Sequence, residues 1–567
     1  MATGDISLAC ATVLIDELVA GGMRHACVSP GSRSTPLALA LERHAGVTVH
    51  VHLDERSSAF FAVGLAKALR RPVGVACTSG TAVAELLPAV VEASQARVPL
   101  YLLTADRPPR LRGTGANQTI DQVRLFGTYP RAYLDPPVPL SPNDALEWRR
   151  IGRDAVAACE GPLPGPVHIN CPFEEPLVPT GDVIDVPERD PSWVERADRN
   201  PEPLGADVER AARELSRARG MVVAGSNWWT APGEVAQLAQ RLGWPLLAEP
   251  TSGLRRPGWA LATGQSLIAS MAFLDRHRPE IVLQIGATPT TRASQALVAA
   301  AERLLVVDLV HPDPDPEGRA TWRLEADPDR LATGVMGRTI EPAPDGWLAF
   351  WQAADERARS AMDEVLDATD EPTELRLARD LAAAVPDGGT LFIGNSMPIR
   401  DLDVAMTPRD GLQVMANRGA SGIDGLVSTA LGIATAGSGS TVALIGDLSL
   451  VYDAGALLWN GRRLPAHLAI VVPNNRGGAI FDSLDQRDLP ERDRLFVTPQ
   501  EVDLAALSAA AGVGHTRVER MSDLVGAVRD AEAGGGIRVI EVPTPSERSR
   551  RQRIDVRAAV DATLADP

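Results

Sequence analysis

Residues Val442 to Phe481 read VALIGDLSLVYDAGALLWNGRRLPAHLAIVVPNNRGGAIF and carry the clearest indication of the fold. This stretch begins with the apolar run Val442 to Ile445, whose length and composition are typical of a buried parallel strand. A helical segment then leads to a second apolar run, Leu468 to Val472. We therefore predict a β-α-β unit whose two strands both end in polar, glycine-containing sequence. In open α/β sheets, ligands bind at the edge formed by the carboxyl ends of the strands.

Oxygen ligands follow both predicted strands. Asp447 offers a carboxylate after the first strand, Asn475 offers an amide oxygen after the second, and a loop carbonyl near Gly477 would be a third oxygen. Such hard oxygens suit Mg²⁺, which takes its remaining ligands from water and phosphate. The glycines would let the backbone approach a diphosphate. The alternative is structural, since an aspartate can cap a helix and an Asn-Asn pair can form a turn.

Asp447 and Asn475 together resemble the signature of thiamine-diphosphate enzymes. Leu448 stands where many of those enzymes carry glycine or another small residue, but this departure leaves the metal ligands intact. The resemblance implies that thiamine diphosphate is bound with Mg²⁺ or Mn²⁺. It also implies a set of further cofactor contacts, namely Gly394, Ser396, Ile423, Gly446, Leu448, Ser449, Gly477, Gly478 and Ile480.

The composition excludes several classes of function. The 567 residues suffice for three or four domains, and the apolar share of 45% is ordinary for a globular protein. The net charge of −17 argues against nucleic acid as a partner, because phosphate binding needs a basic face. The sequence has no uncharged apolar run of about eighteen residues or more, so we expect no membrane span.

The N-terminus and the cysteines both favour a cytoplasmic protein. The first residues carry acids and lack the basic region and apolar core of a signal peptide. The cysteines form no CxxC pair and are odd in number, so we expect reduced, buried thiols. They are Cys10, Cys27, Cys77, Cys159 and Cys171.

The pattern along the chain predicts an α/β protein with three doubly wound parallel-sheet domains. We place a pyrimidine-binding domain at 1–180, a Rossmann-like middle domain at 200–340 and a diphosphate-binding domain at 360–567. The first and third look like two copies of one architecture. The middle domain lacks a GxGxxG motif, so Gly225 at a strand end is weak support for a bound nucleotide. The basic helical tail after Ser546 is interpreted as a solvated face or a subunit contact.

Glu55 is the candidate acid for a thiamine-diphosphate site. Such a site needs a carboxylic acid beside the pyrimidine ring of the cofactor. Glu55 follows an apolar strand and precedes a helix. Burial against a heterocycle would raise its pKa, as a proton-sharing carboxyl requires. The alternative is a surface ion cluster or helix cap formed by Asp54, Glu55 and Arg56.

Ile423, in a glycine-rich loop before a helix, is the candidate for the wedge that bends the cofactor, although such a residue is more often core.

Four arginines lie just past predicted strands, on the edge of the sheet that binds ligands. A single loop arginine is usually a solvated charge, whereas a group of four suggests bidentate recognition of carboxylates. Neutral donors accompany them. The arginines are Arg33, Arg107, Arg400 and Arg418, and the neutral donors are Ser32, Asn117, Gln118 and Ser396. This set predicts polycarboxylate substrates.

Several motifs together are similar to the family of 2-succinyl-5-enolpyruvyl-6-hydroxy-3-cyclohexene-1-carboxylate synthases. They are SPGSRSTPL, LDERSSAFFAVGLAK, TSGTAVAELLPAVVEA, LTADRPP, GANQTI, GNSMPIRD, NRGASGIDG and GDLSLVYD…NNRGGAIF. The motifs span residues 29–481, so the resemblance covers most of the chain. It implies a transferase of menaquinone (vitamin K₂) biosynthesis, which decarboxylates 2-oxoglutarate and adds the resulting succinyl carbanion to isochorismate in a Stetter-like 1,4-addition.

The resemblance also implies roles for individual residues. Glu55 is the proton-relay acid, Ile423 is the wedge, and Asp447, Asn475 and the Gly477 carbonyl hold the metal. Arg33, Arg400 and Arg418 are catalytic as well as substrate-binding, and Ser32, Arg107, Asn117, Gln118 and Ser396 bind substrate. Family members place the active site between the first domain of one subunit and the third domain of another, so at least a homodimer is implied, commonly a homotetramer.

Two other functions remain open at this point. Another thiamine-diphosphate enzyme, of the acetolactate synthase or 2-oxoacid decarboxylase type, would share Glu55, Asp447 and Asn475 but would not need four arginines. A catalytically silent binding protein on the same fold would have no need for both the acid and the metal ligands.

Overall fold

The computed structural model describes residues 2–181, 184, 186, 188–189, 202–227, 233–309, 311, 314–437, 439–460 and 467–565. The proline-rich, acidic stretch Pro172–Pro203 is predicted to be a linker, and much of it lies outside the described residues. The contacts divide the chain into two compact units. The first unit takes in Met1–Arg199, Asn417–Ser438 and Tyr452–Ala466, and the second takes in Asn200–Ala416, Gly439–Val451 and His467–Pro567.

The first sheet has six described strands, all paired in parallel, in the order β2-β1-β3-β4-β6-β5. Buried apolar strands separated by helices produce this doubly wound arrangement. The strands are β1 (His25–Val28), β2 (Thr48–Val51), β3 (Val73–Cys77), β4 (Leu100–Asp106), β5 (Ala132–Leu134) and β6 (Pro166–Pro172). The helices are α1 (Thr3–Ala20), α2 (Thr35–Arg43), α3 (Glu55–Leu69), α4 (Thr81–Glu85), α5 (Leu87–Gln95) and α6 (Asp144–Cys159).

The second sheet, in the middle of the chain, has five described parallel strands in the order β11-β10-β9-β7-β8. The strands are β7 (Gly220–Ala224), β8 (Leu246–Ala248), β9 (Ile281–Ile285), β10 (Arg303–Val307) and β11 (Trp322–Leu324). The helices are α7 (Gly205–Leu215), α8 (Gly233–Leu242), α9 (Gly264–Ala269), α10 (Met271–Arg276), α11 (Arg292–Ala299), α12 (Pro328–Met336) and α13 (Trp347–Asp367). Gly225 has a packing role here, because a Cβ on it would lie 1.9 Å from the carbonyl oxygen of Ala287.

The third sheet repeats the topology of the first. Its six described strands are parallel and follow the order β13-β12-β14-β15-β17-β16, which is the order of the first sheet with the strand numbers shifted. The strands are β12 (Gly389–Ile393), β13 (Leu412–Ala416), β14 (Thr441–Leu444), β15 (Leu468–Asn474), β16 (Gly514–Arg517) and β17 (Ile537–Pro543). The helices are α14 (Glu374–Ala384), α15 (Met397–Ala405), α16 (Leu426–Ala436), α17 (Asp447–Tyr452), α18 (Ala454–Asn460), α19 (Leu504–Ala511), α20 (Leu524–Gly534) and α21 (Ser546–Ala565).

Helices α3 and α16 cross at very short distance inside the first unit. A Cβ on Gly64 would lie 2.1 Å from the carbonyl oxygen of Thr429, and a Cβ on Gly432 would lie 2.1 Å from that of Phe61. Only glycine therefore fits at both positions. This crossing holds the segment that follows Asn417 against the helix that begins at Glu55.

The structure corrects two details of the sequence interpretation. The apolar pattern predicts a strand over Val47–Leu53, which is too long, since β2 ends at Val51 and Leu53 is exposed. The tail after Ser546 is helical as predicted, but it is not only a solvated face. Val556, Val560 and Leu564 recur every four residues along α21 and are buried in the core that also contains residues of α13.

Two further expectations can be compared with the structure. All five cysteines are buried and free of disulfide bonds, as predicted. Among the described residues, no helix combines the length and the apolar character that a membrane crossing requires.

Candidate active site

The predicted metal ligands meet at the ends of two neighbouring strands of the second unit. Strands β14 and β15 are parallel partners, with Leu444 opposite Val471. The backbone nitrogen of Gly477 donates to Oδ2 of Asp447 at 2.9 Å and to Oδ1 of Asn475 at 3.0 Å. Because one N–H reaches both oxygens, the carboxylate and the amide oxygen converge on the same small region. Oδ1 of Asp447 accepts a second bond, from the backbone nitrogen of Leu448 at 2.8 Å.

The local chemistry fits a divalent cation bound beside a diphosphate. Burial raises the pKa of Asp447 to about 6, so a cation there would compensate a carboxylate that the surrounding protein does not neutralise. A Cβ on Gly446 would meet nothing closer than Oγ of Ser449 at 4.0 Å, which leaves open space beside Asp447. A Cβ on Gly477 would lie 2.6 Å from the carbonyl oxygen of Val497, so glycine is required at that turn.

The remaining predicted cofactor residues of the second unit lie at the same ends of the sheet strands. Gly394 follows β12 and is so close to β14 that a Cβ on it would lie 3.2 Å from the carbonyl oxygen of Leu444. Gly478 and Ile480, which follow β15, are partly buried, as is Leu448, whereas Ser449 is buried.

Ser396 has an unusual backbone conformation. Its φ is 69° and its ψ is −127°, at the position that precedes α15. A side-chain-bearing residue in this region is strained, and such strain is concentrated at binding and catalytic sites. Nη1 of Arg400 donates to the carbonyl oxygen of Ser396 at 2.6 Å. Arg400 therefore contacts the strained turn directly, and both Ser396 and Arg400 are partly buried.

The sequence pattern predicts that this helix starts at Ser57, but Glu55 is the first residue of α3, so the helix starts two residues earlier. Asp54 caps this helix by accepting a bond from the backbone nitrogen of Ser57 at 3.1 Å. Burial raises the pKa of Glu55, and the negative charges of Asp54 and Glu85 raise it further. The protein by itself therefore raises the pKa of Glu55, which is the direction that the sequence predicts. The capping role predicted as the alternative belongs to Asp54 and not to Glu55.

Arg33 and Arg107 form a buried pair of positive charges in the first unit. Arg33 donates to the carbonyl oxygen of Phe173 at 3.0 Å and to Oε1 of Glu175 at 2.7 Å. Arg107 donates to the carbonyl oxygen of Gln118 at 2.6 Å. Burial lowers the pKa of Arg107, and the charge of Arg33 lowers it further. Two guanidinium groups that repel each other in a buried setting would be stabilised by an anionic ligand.

The neutral donors predicted beside these arginines are accessible. Ser32, Asn117 and Gln118 are all exposed. Gln118 has a φ of 52°, and its Nε2 donates to the carbonyl oxygen of Ser79 at 2.9 Å. The turn that contains Gln118 is therefore tied to the turn that precedes α4.

Arg418 lies in a loop that buried charges anchor from both sides. Nζ of Lys67 donates to Oδ1 of Asn417 at 2.9 Å. Glu92 accepts from the backbone nitrogens of Gly419 and Ala420, at 3.1 and 2.7 Å. Arg418 itself is partly buried, as is Ile423 further along the same segment.

Comparison with known proteins decides the family. Three models match in chain order: "Thiamine pyrophosphate enzyme, N-terminal TPP binding domain" at residues 9–125, "Middle domain of thiamine pyrophosphate" at 188–393, and "Thiamine pyrophosphate enzyme, C-terminal TPP binding domain" at 404–542. The chain is 44% identical over 571 residues to the 2-succinyl-5-enolpyruvyl-6-hydroxy-3-cyclohexene-1-carboxylate synthase of Thermobifida fusca (strain YX), covering 98% of this chain and 99% of the relative. The chain belongs to this synthase family.

Other relatives support the same assignment. The synthase of Chloroflexus aurantiacus (strain ATCC 29366 / DSM 635 / J-10-fl) is 39% identical, with 94% of this chain and 93% of the relative covered. Among solved structures, a benzoylformate decarboxylase from Polynucleobacter necessarius superposes with a TM-score of 0.71 at 18% identity, covering 95% of this chain and 98% of that one. At that identity the likeness shows the fold alone. The predicted family, the fold class and thiamine diphosphate as the cofactor are confirmed, and the two rival functions are not favoured.

The sequence interpretation missed charged residues that support the site in this family member. Glu374 accepts a hydrogen bond from Nδ2 of Asn475 at 2.6 Å. Lys67 and Glu92 hold the Arg418 loop as described above. In the sequence, Glu374 is an acid at a predicted helix start, and Lys67 and Glu92 are single charges within helical segments. No motif marks them, so only the three-dimensional contacts reveal what they do.

Proposed function

We propose that this protein decarboxylates 2-oxoglutarate and adds the remaining four-carbon unit to isochorismate by 1,4-addition. The products are CO₂ and 2-succinyl-5-enolpyruvyl-6-hydroxy-3-cyclohexene-1-carboxylate, on the route to menaquinone. The buried pair Arg33 and Arg107 carries the proposal, because an enzyme that acted on pyruvate alone would not need two buried guanidinium groups close enough to influence each other's charge. The full-length similarity to synthases of this name supports it.

When bound, thiamine diphosphate would supply a cationic thiazolium ring as the sink for the electron pair released when CO₂ leaves. Asp447, Asn475 and the carbonyl of Gly477 would hold Mg²⁺ or Mn²⁺, since hard oxygen ligands suit both ions. Gly446 leaves room for a close approach of the diphosphate to the backbone, and Ile423 would be the wedge.

Glu55 would hold and return the proton that the cofactor chemistry requires. Its raised pKa keeps a proton on the carboxyl at a higher pH than an exposed glutamate would. Its position at the first turn of α3 fixes the carboxyl to a helix that is buried along most of its length. The protein can therefore hold the proton at one defined atom.

The arginines would bind the carboxylates of the substrates, together with Ser32, Asn117, Gln118 and Ser396. Arg33 now pairs with Glu175, whose side chain is 68% exposed. Arg33 is buried, but its partner carboxylate reaches solvent, so a substrate carboxylate could take the place of Glu175. Arg400 and Arg418 would contribute the other two guanidinium groups.

We also propose that the protein acts as a homo-oligomer, at least a dimer and in the family's common form a tetramer. Val51, Leu53, Tyr452 and Leu458 of the first unit are all more than half exposed. Covering such apolar side chains would stabilise an assembly. Light scattering on the purified protein would give the number of subunits.

We keep 1–180, 200–340 and 360–567 as the proposed domains, and a cytoplasmic location as the proposed compartment.

A substrate panel tests the proposed reaction. Isochorismate is incubated with the protein, thiamine diphosphate and Mg²⁺, and either 2-oxoglutarate or pyruvate is added. We expect isochorismate to disappear only with 2-oxoglutarate and only when the cofactor is present. If isochorismate is not consumed while pyruvate is steadily decarboxylated, the substrate assignment is wrong, but the proposed cofactor site is not affected.

A further inference from the structure

The side-chain amide of Asn475 is fixed in one orientation. Its nitrogen Nδ2 donates to Oε1 of Glu374 at 2.6 Å, and its oxygen Oδ1 accepts from the backbone nitrogen of Gly477 at 3.0 Å. A carboxylate can only accept, so the nitrogen must face Glu374. The oxygen is then directed to the side of Gly477 and Asp447, where a metal ion would need it.

Burial and hydrogen bonds to α21 fix the position of Glu374. It is the first residue of α14 and is 5% exposed. Its second carboxylate oxygen accepts from Nη2 of Arg553 on α21, and its backbone nitrogen donates to Oγ of Ser549 on the same helix at 3.2 Å. The neighbouring Thr373 hydroxyl donates to Gln552. The start of α14 is therefore attached to three polar side chains within about one turn of α21.

Arg553 reaches a second carboxylate as well. Its Nε and Nη2 donate to the two oxygens of Asp401, at 2.8 and 2.6 Å, so that the pair is bidentate. Asp401 follows Arg400 on α15 and is 3% exposed. One guanidinium group thus links the carboxylate that orients Asn475 with the helix that bears a predicted substrate-binding arginine.

We propose that Glu374 is a positioning residue for the metal site and that Arg553 holds Glu374 in place. The carboxylate of Glu374 selects the Asn475 rotamer and amide orientation that present Oδ1 to the metal. Supporting hydrogen bonds of this kind orient the ligands that touch a metal and affect its affinity. The inference rests on the metal site proposed above.

The adjacent asparagine provides a matched comparison within the same loop. Nδ2 of Asn474 donates to Oε1 of Glu541 at 2.9 Å, and Glu541 is 6% exposed. Glu541 also pairs with Arg517 at 2.8 Å. The two asparagine–glutamate pairs are alike in chemistry and burial, but only Asn475 is a predicted ligand. Glu541→Gln therefore controls for the loss of a buried carboxylate near the loop.

The experiment measures Mn²⁺ affinity of the full-length protein with thiamine diphosphate in excess, by the electron paramagnetic resonance signal of free Mn²⁺. Four variants are compared: Glu374→Gln, Glu374→Asp, Glu541→Gln and Asp447→Ala. Glutamine at position 374 can present either its amide oxygen or its amide nitrogen to Asn475, so it no longer selects one orientation of the Asn475 amide. Aspartate keeps the charge for Arg553 but withdraws the acceptor from Asn475, and it serves as the second test if Glu374→Gln folds poorly.

We expect both Glu374 variants to bind Mn²⁺ at least about tenfold more weakly, and Glu541→Gln to bind it as the unchanged protein does. Asp447→Ala should abolish binding. Normal Mn²⁺ affinity in the Glu374 variants, with binding lost in Asp447→Ala, would overturn the inference alone. An equal loss in Glu541→Gln would overturn it too, since the effect would then be general destabilisation. Normal affinity in Asp447→Ala would overturn the proposed metal site and this inference with it.

Discussion

Oδ2 of Asp447 accepts a hydrogen bond from the backbone nitrogen of Gly477 at 2.9 Å, although the two residues are 30 positions apart in sequence. The contact exists because β14 and β15 are adjacent parallel strands, so the segments that follow them leave the sheet at the same edge. Two short polar sequences, each unremarkable alone, are thereby combined into one oxygen-rich site. The fold of the third sheet is what makes the site.

Glu55→Gln is expected to lower turnover by about 10²–10⁴-fold while thiamine diphosphate still binds. The substitution keeps the size of the side chain and removes a carboxyl that exchanges protons. Steady-state rates and cofactor titration by tryptophan fluorescence measure the two effects. Glu85→Gln is the control, because Glu85 is exposed and acts on Glu55 only through its charge. Near-normal turnover in Glu55→Gln would rule out the proposed role.

Arg107→Lys is expected to raise KM for 2-oxoglutarate or isochorismate by about tenfold or more, because lysine keeps the charge but lacks the bidentate fork. Thiamine diphosphate affinity should stay the same. The control is Arg110→Lys, since Arg110 is exposed and pairs with Glu174. If Arg107→Lys changed neither KM nor kcat for either substrate, Arg107 would not contact a carboxylate.

Glu92→Gln is expected to lower the free energy of unfolding by about 3–5 kcal/mol, because it leaves the ammonium group of Lys67 buried without its charge partner. The two groups lie 3.3 Å apart and both are nearly inaccessible. Urea unfolding measures the change. The exposed pair Glu147 and Arg150 offers a control, and Glu147→Gln should cost less than about 1 kcal/mol. Equal losses in the two variants would contradict a special contribution from the buried pair.

Stability is expected to fall as the pH drops below the ordinary histidine value of about 6.5. Burial lowers the pKa of His52 to about 3, that of His50 to about 4 and that of His168 to about 3. The unfolded chain therefore binds protons in this range that the folded chain does not, so the stability present above pH 6.5 is lost on acidification.

His52→Leu tests this pH dependence. His52 is buried, and neither ring nitrogen makes a hydrogen bond to the described residues. The variant should match the unchanged protein at neutral pH and lose less stability between about pH 6.5 and pH 5. Thermal unfolding across that range gives the comparison. Identical pH profiles for the two proteins would contradict the account of His52.

The sequence predicted those parts of the molecule that depend on local pattern. The apolar runs that became β14 and β15, the polar ends that contain Asp447 and Asn475, and the repeated architecture of the first and third sheets were all readable from composition and order. The strand bounds were less accurate, as at β2, because exposed apolar residues such as Leu53 extend the pattern beyond the hydrogen-bonded pairs.

Long-range contacts between charged residues could not be predicted from local sequence pattern. Glu374, Lys67 and Arg553 look like surface charges on amphipathic helices, since their partners lie far away in sequence. Their burial depends on how helices pack, which a single sequence does not specify. The strained turn at Ser396 was likewise invisible, although the motif that contains it was identified.

The proposed reaction joins a four-carbon unit from 2-oxoglutarate to isochorismate. The most direct test is mass spectrometry of the product formed from 2-oxoglutarate labelled with carbon-13 at C2 to C5, isochorismate, thiamine diphosphate and Mg²⁺. We expect one product that has the combined mass of both substrates less CO₂ and carries the label. Labelled succinic semialdehyde together with unreacted isochorismate would contradict the proposed reaction, because the protein would then be a decarboxylase that transfers nothing.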